Sequence, residues 1–309
     1  MPIEQIAADD VAIVIPMLNE AAVMPRLLRL LAVLVPAPAE IIAVDGGSQD
    51  ETVALVRASG FVRAVEHPMR GRAAAINRGV AEARSPLLCV LHADTILPDD
   101  ALTVIRRTLA NPQTALAGFT PLIAGAETVR WGTTFHNWIK TWYAPVIFRP
   151  HLFLRGCRLL FGDHAMFFRR ADFLAVGGCD ETLTVMEDTD LCLRLCRRGR
   201  IRLVNRVVTT SDRRVAAWGG LKANLIFLSG SALVLDCAAS STGTILMSGK
   251  RRPDAVSRRK CTTGLGWLSW PPQASLPASS DTPEVESFLP TSAALPRRGG
   301  RSCAAVAGA

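Results

Sequence analysis

VAIVIPMLNE at Val11–Glu20, with IIAVDGGSQDET at Ile41–Thr52 behind it, decides the fold. Each stretch opens on a run of β-branched and aliphatic residues too continuous for a half-solvated strand, then stops abruptly at polar residues or glycine. That is the pattern of a strand covered on both faces. Between the two, Ala21–Val35 carries apolar residues at helical spacing, so strand, helix and strand follow in order. A Gly-Gly-Ser turn after Asp45 leads into a helix through Thr52 to Ser59, and the unit then repeats. FVRAVEH is a third strand, Arg72–Arg84 a third helix, PLLCVLHAD a fourth strand and Asp99–Leu109 a fourth helix. The alternation predicts an α/β fold with a mainly parallel, doubly wound sheet flanked by helices.

In such sheets ligands bind beyond the carboxyl ends of the strands, which is where Asn19, Glu20, Asp45, Asp94 and Thr95 fall. Farther along, Trp131, Phe135, Trp138 and Trp142 recur at helical spacing, with Tyr143, Phe148 and Phe153 beyond. An aromatic stripe of this kind predicts core packing, the alternative being an acceptor or membrane surface. GDHAMFFRR reads as a strand near the site, and a helix led by Glu187 and Asp188 ends at Gly199. Arg200–Ser211 returns as a strand and Val215–Leu228 as a last helix. From residue 229 to 309 Ser, Ala, Pro, Gly and Arg dominate and no period persists. This segment reads as a low-complexity, disordered tail: a linker, a binding tail or the product of a shifted reading frame. Residues 1–228 read as the folded domain.

A chain of 309 residues with 49% hydrophobic content buries an ample core, which excludes disorder throughout. The net charge of +8 is compatible with nucleic acid or an anionic membrane, yet the arginines are interleaved with acids, and a phosphorylated small molecule accounts for them equally well. Nucleic-acid binding calls for a basic face with interleaved aromatics; the segment around Trp138 holds few Lys or Arg, so no nucleic-acid partner is expected. The eight cysteines, at 89, 157, 179, 192, 196, 237, 261 and 303, form no C-x-x-C and no zinc spacing, and are expected as reduced thiols of a cytoplasmic protein. There is no basic N-terminal segment with an apolar signal core, and no apolar run of membrane-spanning length. Any membrane contact is expected to be peripheral, on the cytoplasmic face.

Four groups of residues carry potential chemistry. Asp45, followed by Gly46, Gly47 and Ser48, can accept hydrogen bonds from ribose hydroxyls or a base N–H while the small residues admit a ligand to the backbone; alternatively Asp and Ser merely cap a strand-to-helix turn. His92-Ala93-Asp94-Thr95 ends a buried strand, and Asp94 can hold a divalent cation that bridges a diphosphate; otherwise it is another turn aspartate beside a partly buried histidine. Met186-Glu187-Asp188-Thr189-Asp190 opens a helix, where Thr184 with Glu187 matches a capping box and acids favour the dipole. That accounts for Glu187 and leaves Asp188 to act as a general base. Arg70-Gly71-Arg72 precedes a helix start suited to phosphate, and Arg213 and Arg214 can clamp a leaving diphosphate. The bland alternative for each Arg is solvated surface charge.

Together and in this order, VIPMLNE, VDGGSQDET, GRAAAINRG, LHADTILP, GDHAMFFRR and GGCDETLTVMEDTDLCLRLCRRGR resemble the family-2 glycosyltransferases of GT-A fold, over about Val11 to Leu228. Within that family they look most like a bacterial branch known as radical-SAM/selenodomain-associated transferases. The resemblance implies an inverting, hexosyltransferase-type enzyme that moves a sugar from a nucleotide-diphosphate sugar to a hydroxyl or carboxyl acceptor, lipid- or carotenoid-like, with Mg²⁺ or Mn²⁺. It places Pro16, Asn19, Glu20, Asp45 and Gly46 around the nucleoside, Arg72 near the phosphates, and Arg213 or Arg214 beside the leaving group. Asp94 becomes the metal ligand with His92 next to it, Asp188 the catalytic base, and Gly162, Asp163 and Glu187 the acceptor side. Two features depart from the family. His92 stands where an Asp-x-Asp motif has its first Asp, and the chain runs into a Ser/Arg/Pro-rich tail where relatives continue with apolar helices. The rival readings are a non-catalytic or degenerate nucleotide-sugar-binding protein and, less well supported, a nucleotidyltransferase, which calls for an extended Gly-rich loop with a Lys near the first strand.

Overall fold

The first strand, β1 (Val11–Met17), shows how the sheet acquires two covered faces. Side chains alternate along a strand, and here Ala12 and Val14 enter one core while Val11, Ile13 and Ile15 enter the other, all fully buried. β2 (Glu40–Asp45) lies parallel to β1, with Ala12 opposite Glu40 and Met17 opposite Asp45. This explains why both sequences read as unbroken apolar runs. The computed structural model describes residues 10–67, 71–125, 128–183 and 185–213.

The remaining strands are β3 (Arg63–Glu66), β4 (Leu87–Val90), β5 (Thr95–Ile96), β6 (Thr114–Ala124), β7 (Phe167–Arg169) and β8 (Arg200–Ser211). They join one eight-stranded sheet in the order β3-β2-β1-β4-β7-β6-β8-β5. Only β7 and β5 run against the others, so the sheet is mainly parallel as the alternation predicts. On one face α1 (Met24–Ala32), α2 (Thr52–Ala58) and α4 (Ala101–Leu109) contribute residues such as Leu27, Val56 and Ile105. On the other, α3 (Arg72–Glu82), the inner residues of α5 (Trp131–Phe148) and, near the end of the described chain, α8 (Glu187–Leu195) contribute Val80, Ala144 and Leu191. Two short helices, α6 (Pro150–Leu154) and α7 (Arg170–Ala175), complete the described elements.

Three elements differ from the sequence pattern. Thr114–Ala124, to which the pattern assigns no strand, forms the long β6; Gly118 and Pro121 inside it read as breakers. Gly118 is there because of packing: a Cβ on it would lie 3.0 Å from the His164 Cβ. GDHAMFFRR is only partly a strand, because Gly162–His164 form a 3₁₀ turn and pairing begins at Phe167. Side chains redirect the backbone there: the Phe161 N–H donates to His164 Nδ1, and Ala165 takes a left-handed φ of 42°.

The third difference is the largest. The aromatic stripe of α5 is not core: Trp131 is 69% and Phe135 61% exposed, and Trp138 is exposed as well. The buried face carries Thr133, Asn137, Lys140, Thr141, Ala144 and Pro145. α5 sits on the polar turn at Gly162–His164, so its hydrogen-bonding residues face inward and its rings are left outside. The five cysteines among the described residues, at 89, 157, 179, 192 and 196, are buried free thiols. The Val215–Leu228 helix, the domain boundary at 228, the tail, Arg70, Arg214 and Thr184 lie outside the described residues.

Candidate active site at the carboxyl rim of the sheet

The loops after β1 and β2 are stitched to each other by side chains. Asn19, in a left-handed conformation with φ of 53°, donates its N–H to Ser48 Oγ at 2.8 Å and accepts from the Gln49 N–H at 2.8 Å. The Glu20 N–H donates to Thr52 Oγ1 at 2.8 Å, and the Ala21 N–H to Asp50 at 3.1 Å. Asp50 and Thr52 thus join Asn19 and Glu20 in shaping the rim; they lie within VDGGSQDET but carried no assignment. Asp45 is buried at the end of β2 and closes its own turn, accepting from the N–H groups of Gly47 and Ser48 at 2.9 and 3.0 Å and from the Ser48 hydroxyl. A carboxylate offers about four acceptor positions, so the turn role leaves room for a ligand hydroxyl. Gly46 is buried behind it with its N–H on the Met17 carbonyl, and Pro16 lies one residue before Met17 in β1, opposite Val44.

Arg213, just beyond β8, reaches back across this rim. Its guanidinium lies 2.8 Å from the Glu20 carboxylate and 3.6 Å from Asp94, and the two acids raise its pKa against the opposing effect of burial. Three residues singled out far apart in sequence are therefore brought together at the ends of β1, β4 and β8. No group of three or more His, Cys, Asp or Glu is placed to hold a metal among the described residues. Asp94 supplies a carboxylate at this rim, and a hard divalent cation held by one or two carboxylates, with phosphate oxygens and waters for the rest, fits that donor set.

The second cluster surrounds Asp188. Met186, the residue before α8, has a left-handed φ of 65° and gives the helix no side-chain cap. Glu187 is the first residue of α8, and its carboxylate, 2% exposed, pairs with the Arg72 guanidinium. Burial explains the pairing, since an unpaired charge there would be costly; Thr184, the other half of the expected capping box, lies outside the described residues. Arg72 also lies 3.6 Å from Asp188, so its charge is committed to both acids and its pKa is raised. Asp188 accepts the Gly162 N–H at 2.8 Å and the Thr189 N–H at 2.7 Å. Burial, and then the neighbouring Glu187, push its carboxyl up to about 6, outweighing Arg72 and the two N–H donors.

Gly162 is the hinge between the two clusters. A Cβ there would fall 2.1 Å from the His92 ring and 3.1 Å from Arg72 Nη1. His92, two residues before Asp94, therefore packs directly on the turn whose N–H holds Asp188. Asp163 accepts from Asn137 Nδ2 and pairs with His164 at 2.9 Å. Burial works to raise its pKa, but His164, Lys140 and His92 hold it well below the usual carboxylate range. Lys140, buried on the inner face of α5 with its Nζ 3.6 Å from the Phe161 ring centroid, is pushed down to about 8 by burial against the pull of Asp163 and Asp188. Asn137, Lys140 and His164 were not anticipated. Their one sequence signal is that they stand on the face of α5, or in the turn, opposite the aromatic stripe.

Residues 12–177 match the model of glycosyl transferase family 2. The succinoglycan biosynthesis protein ExoA of Rhizobium meliloti (strain 1021) is 29% identical over 225 residues, covering 64% of this chain and 62% of that protein. A pre-mycofactocin glycosyltransferase of Mycobacterium tuberculosis (strain CDC 1551 / Oshkosh) is 30% identical over 236 residues, covering 73% of this chain and 47% of that protein. The chain thus spans less than two thirds of the length of these relatives. Among solved structures, the mannosyltransferase PcManGT from Pyrobaculum calidifontis, in complex with GDP-Man and Mn²⁺, is 19% identical with a TM-score of 0.56, covering 81% of this chain and 69% of that one. S. aureus TarS 1–349 in complex with UDP-GlcNAc is 13% identical with a TM-score of 0.50, covering 65% and 58%. The fold is the GT-A fold of these glycosyltransferases.

Proposed function

The chain belongs to glycosyl transferase family 2, and from that premise we propose that it is an inverting hexosyltransferase moving a sugar from a nucleoside-diphosphate sugar to a hydroxyl or carboxyl acceptor in the cytoplasm. The observation that carries the reading is Asp188: a buried carboxylate raised to about 6, held by the Gly162 N–H, at the same rim as Asp45 and Asp94. A general base with a pKa near the operating pH is efficient, and carboxylates perturbed by burial and a charged neighbour cluster at functional sites. The nucleotide sugars in the PcManGT and TarS complexes support the donor class.

In this reading Pro16, Asn19, Glu20, Asp45 and Gly46 hold the nucleoside. Asp94 is the residue that would hold Mg²⁺ or Mn²⁺, which when bound supplies Lewis-acid stabilisation to the diphosphate. Arg213 exchanges its pairing with Glu20 and Asp94 for the phosphate oxygens. The acceptor oxygen attacks the anomeric carbon in line, its bond to that carbon forming as the bond to the diphosphate oxygen breaks. Asp188 takes the acceptor proton, and the nucleoside diphosphate leaves with the bonding electron pair. Arg72 and Glu187 fix Asp188 in position, and Asp163 with Asn137 lines the acceptor side.

Calorimetric titration with UDP, GDP and their sugars, with and without Mn²⁺, tests the donor site. Binding that depends on the cation and is lost in Asp94→Ala is expected. Absence of binding by well-folded wild type would leave a degenerate relative instead of an enzyme.

A further inference from the structure

The outer face of α5 and α6 is unlike the rest of the described surface. Trp131, Phe135, Trp138, Ile147, Phe148 and Leu154 are all exposed, Leu154 by 84%. The rings form a continuous strip: Phe135 stacks on Trp138 with centroids 6.2 Å apart, and Trp138 tilts against Trp142 at 6.2 Å. Apolar patches of this extent mark interaction sites, and aromatic residues with a wet edge suit the boundary between water and acyl chains.

Charge decides the occupant. From Thr128 to Gly162 the sequence contains Arg130, Lys140, Arg149, Arg155 and Arg158 and no Asp or Glu. Lys140 faces inward and Arg130 pairs with Asp212 at 2.7 Å, but Arg155 is exposed. The Arg158 guanidinium lies over the rings of Trp142 and Phe153, 4.7 and 4.1 Å from their centroids, and binds α5 to α6. Basic side chains lying along an apolar face are complementary to an anionic lipid surface. No helix among the described residues is long and apolar enough to cross a membrane. The inner face of α5 is also held to the site, Asn137 by Asp163 and Thr141 beside His164 at 3.4 Å.

We propose that α5 and α6 lie in the interface of an anionic bilayer, rings inward, and that the acceptor is an amphiphile whose hydroxyl or carboxyl is delivered from that interface to Asp188. The acceptor class rests on the transferase reading; the docking face does not, because it requires no catalysis. One helix then serves both ends, its outer face on lipid and its inner face on the acceptor-side carboxylate Asp163.

The test is flotation of the full chain with phosphatidylcholine vesicles, with and without phosphatidylglycerol, at low salt. Wild type is expected to float with the anionic vesicles, with a blue shift in tryptophan emission. The variant Trp131→Ser/Phe135→Ser/Trp138→Ser is expected to partition roughly tenfold more weakly or less, while binding nucleotide as wild type does. Trp131→Ser alone, the most exposed of the three, should give an intermediate loss and guards against misfolding of the triple variant. Undiminished flotation of the variants would assign lipid binding to another surface and overturn the proposal. So would wild type that stays with the aqueous phase, or variants that merely convert a dimer to a monomer. Flotation without nucleotide binding would leave docking standing and remove the transferase reading.

Discussion

At the scale of one residue, the proposed base Asp188 predicts a pH dependence. Its carboxyl, raised to about 6 by burial and by Glu187, must be ionised to accept a proton. The sign follows: kcat/KM is at its plateau above about pH 6 and falls about tenfold per unit below it, as the base becomes protonated. Asp188→Asn can keep an oxygen for the Gly162 N–H but has no basic electron pair to offer. Turnover is expected to drop by about 10²–10⁴-fold, with UDP or GDP affinity nearly unchanged in the calorimeter. Unaltered turnover would remove Asp188 from the role. The sequence made this residue legible because acids opening a helix stand out. What local spacing could not show is the partner of Glu187, whose carboxylate is claimed by Arg72 from 115 positions away.

At the scale of an element, α5 shows where periodicity misleads. The 3.6-residue period of Trp131, Phe135, Trp138 and Trp142 identifies the helix correctly but does not say which face is inside. Apolar residues ordinarily face the core; here Asn137, Lys140 and Thr141 do, because the turn below them presents Asp163 and His164. β6 was hidden by Gly118 and Pro121, and Gly118 is required only by its neighbours in space. By contrast, β1, β2 and the helices between the parallel strands were legible, since two-sided burial writes itself as unbroken apolar runs. The inner face of α5 yields its own prediction. The Lys140 cation favours the ionised forms of Asp163 and Asp188. Lys140→Met, which keeps the length of the buried stem, should move the acid limb of the pH–rate profile upward, toward neutrality, and Lys140→Arg should restore it. A profile that keeps its limb while all rates fall evenly would make Lys140 a packing residue only.

At the scale of the whole domain, the site is assembled from both halves of one sheet. Glu20, Asp45 and Asp94 follow β1, β2 and β4, while Arg213 follows β8 and Asp188 is held by the turn before β7. Arg213 reaches Glu20 across 193 positions of sequence, and the Gly162 turn packs on His92 from the opposite half. A ligand that engages only the folded arrangement of both halves must stabilise them together. Binding at a hundred times Kd adds about 2.7 kcal/mol, which for a domain of roughly 200 residues raises Tm by about 5–10 °C. Melting with saturating nucleotide and Mn²⁺ should therefore show a single transition that shifts as a whole, and Asp94→Ala should abolish the shift at the same concentrations. Two transitions, of which nucleotide moves only the one belonging to β1, β2 and β4, would show that the donor rim stands without β8 and that Arg213 takes no part in holding the diphosphate. The contact from Arg213 to both Glu20 and Asp94 makes the single shifted transition the expected result.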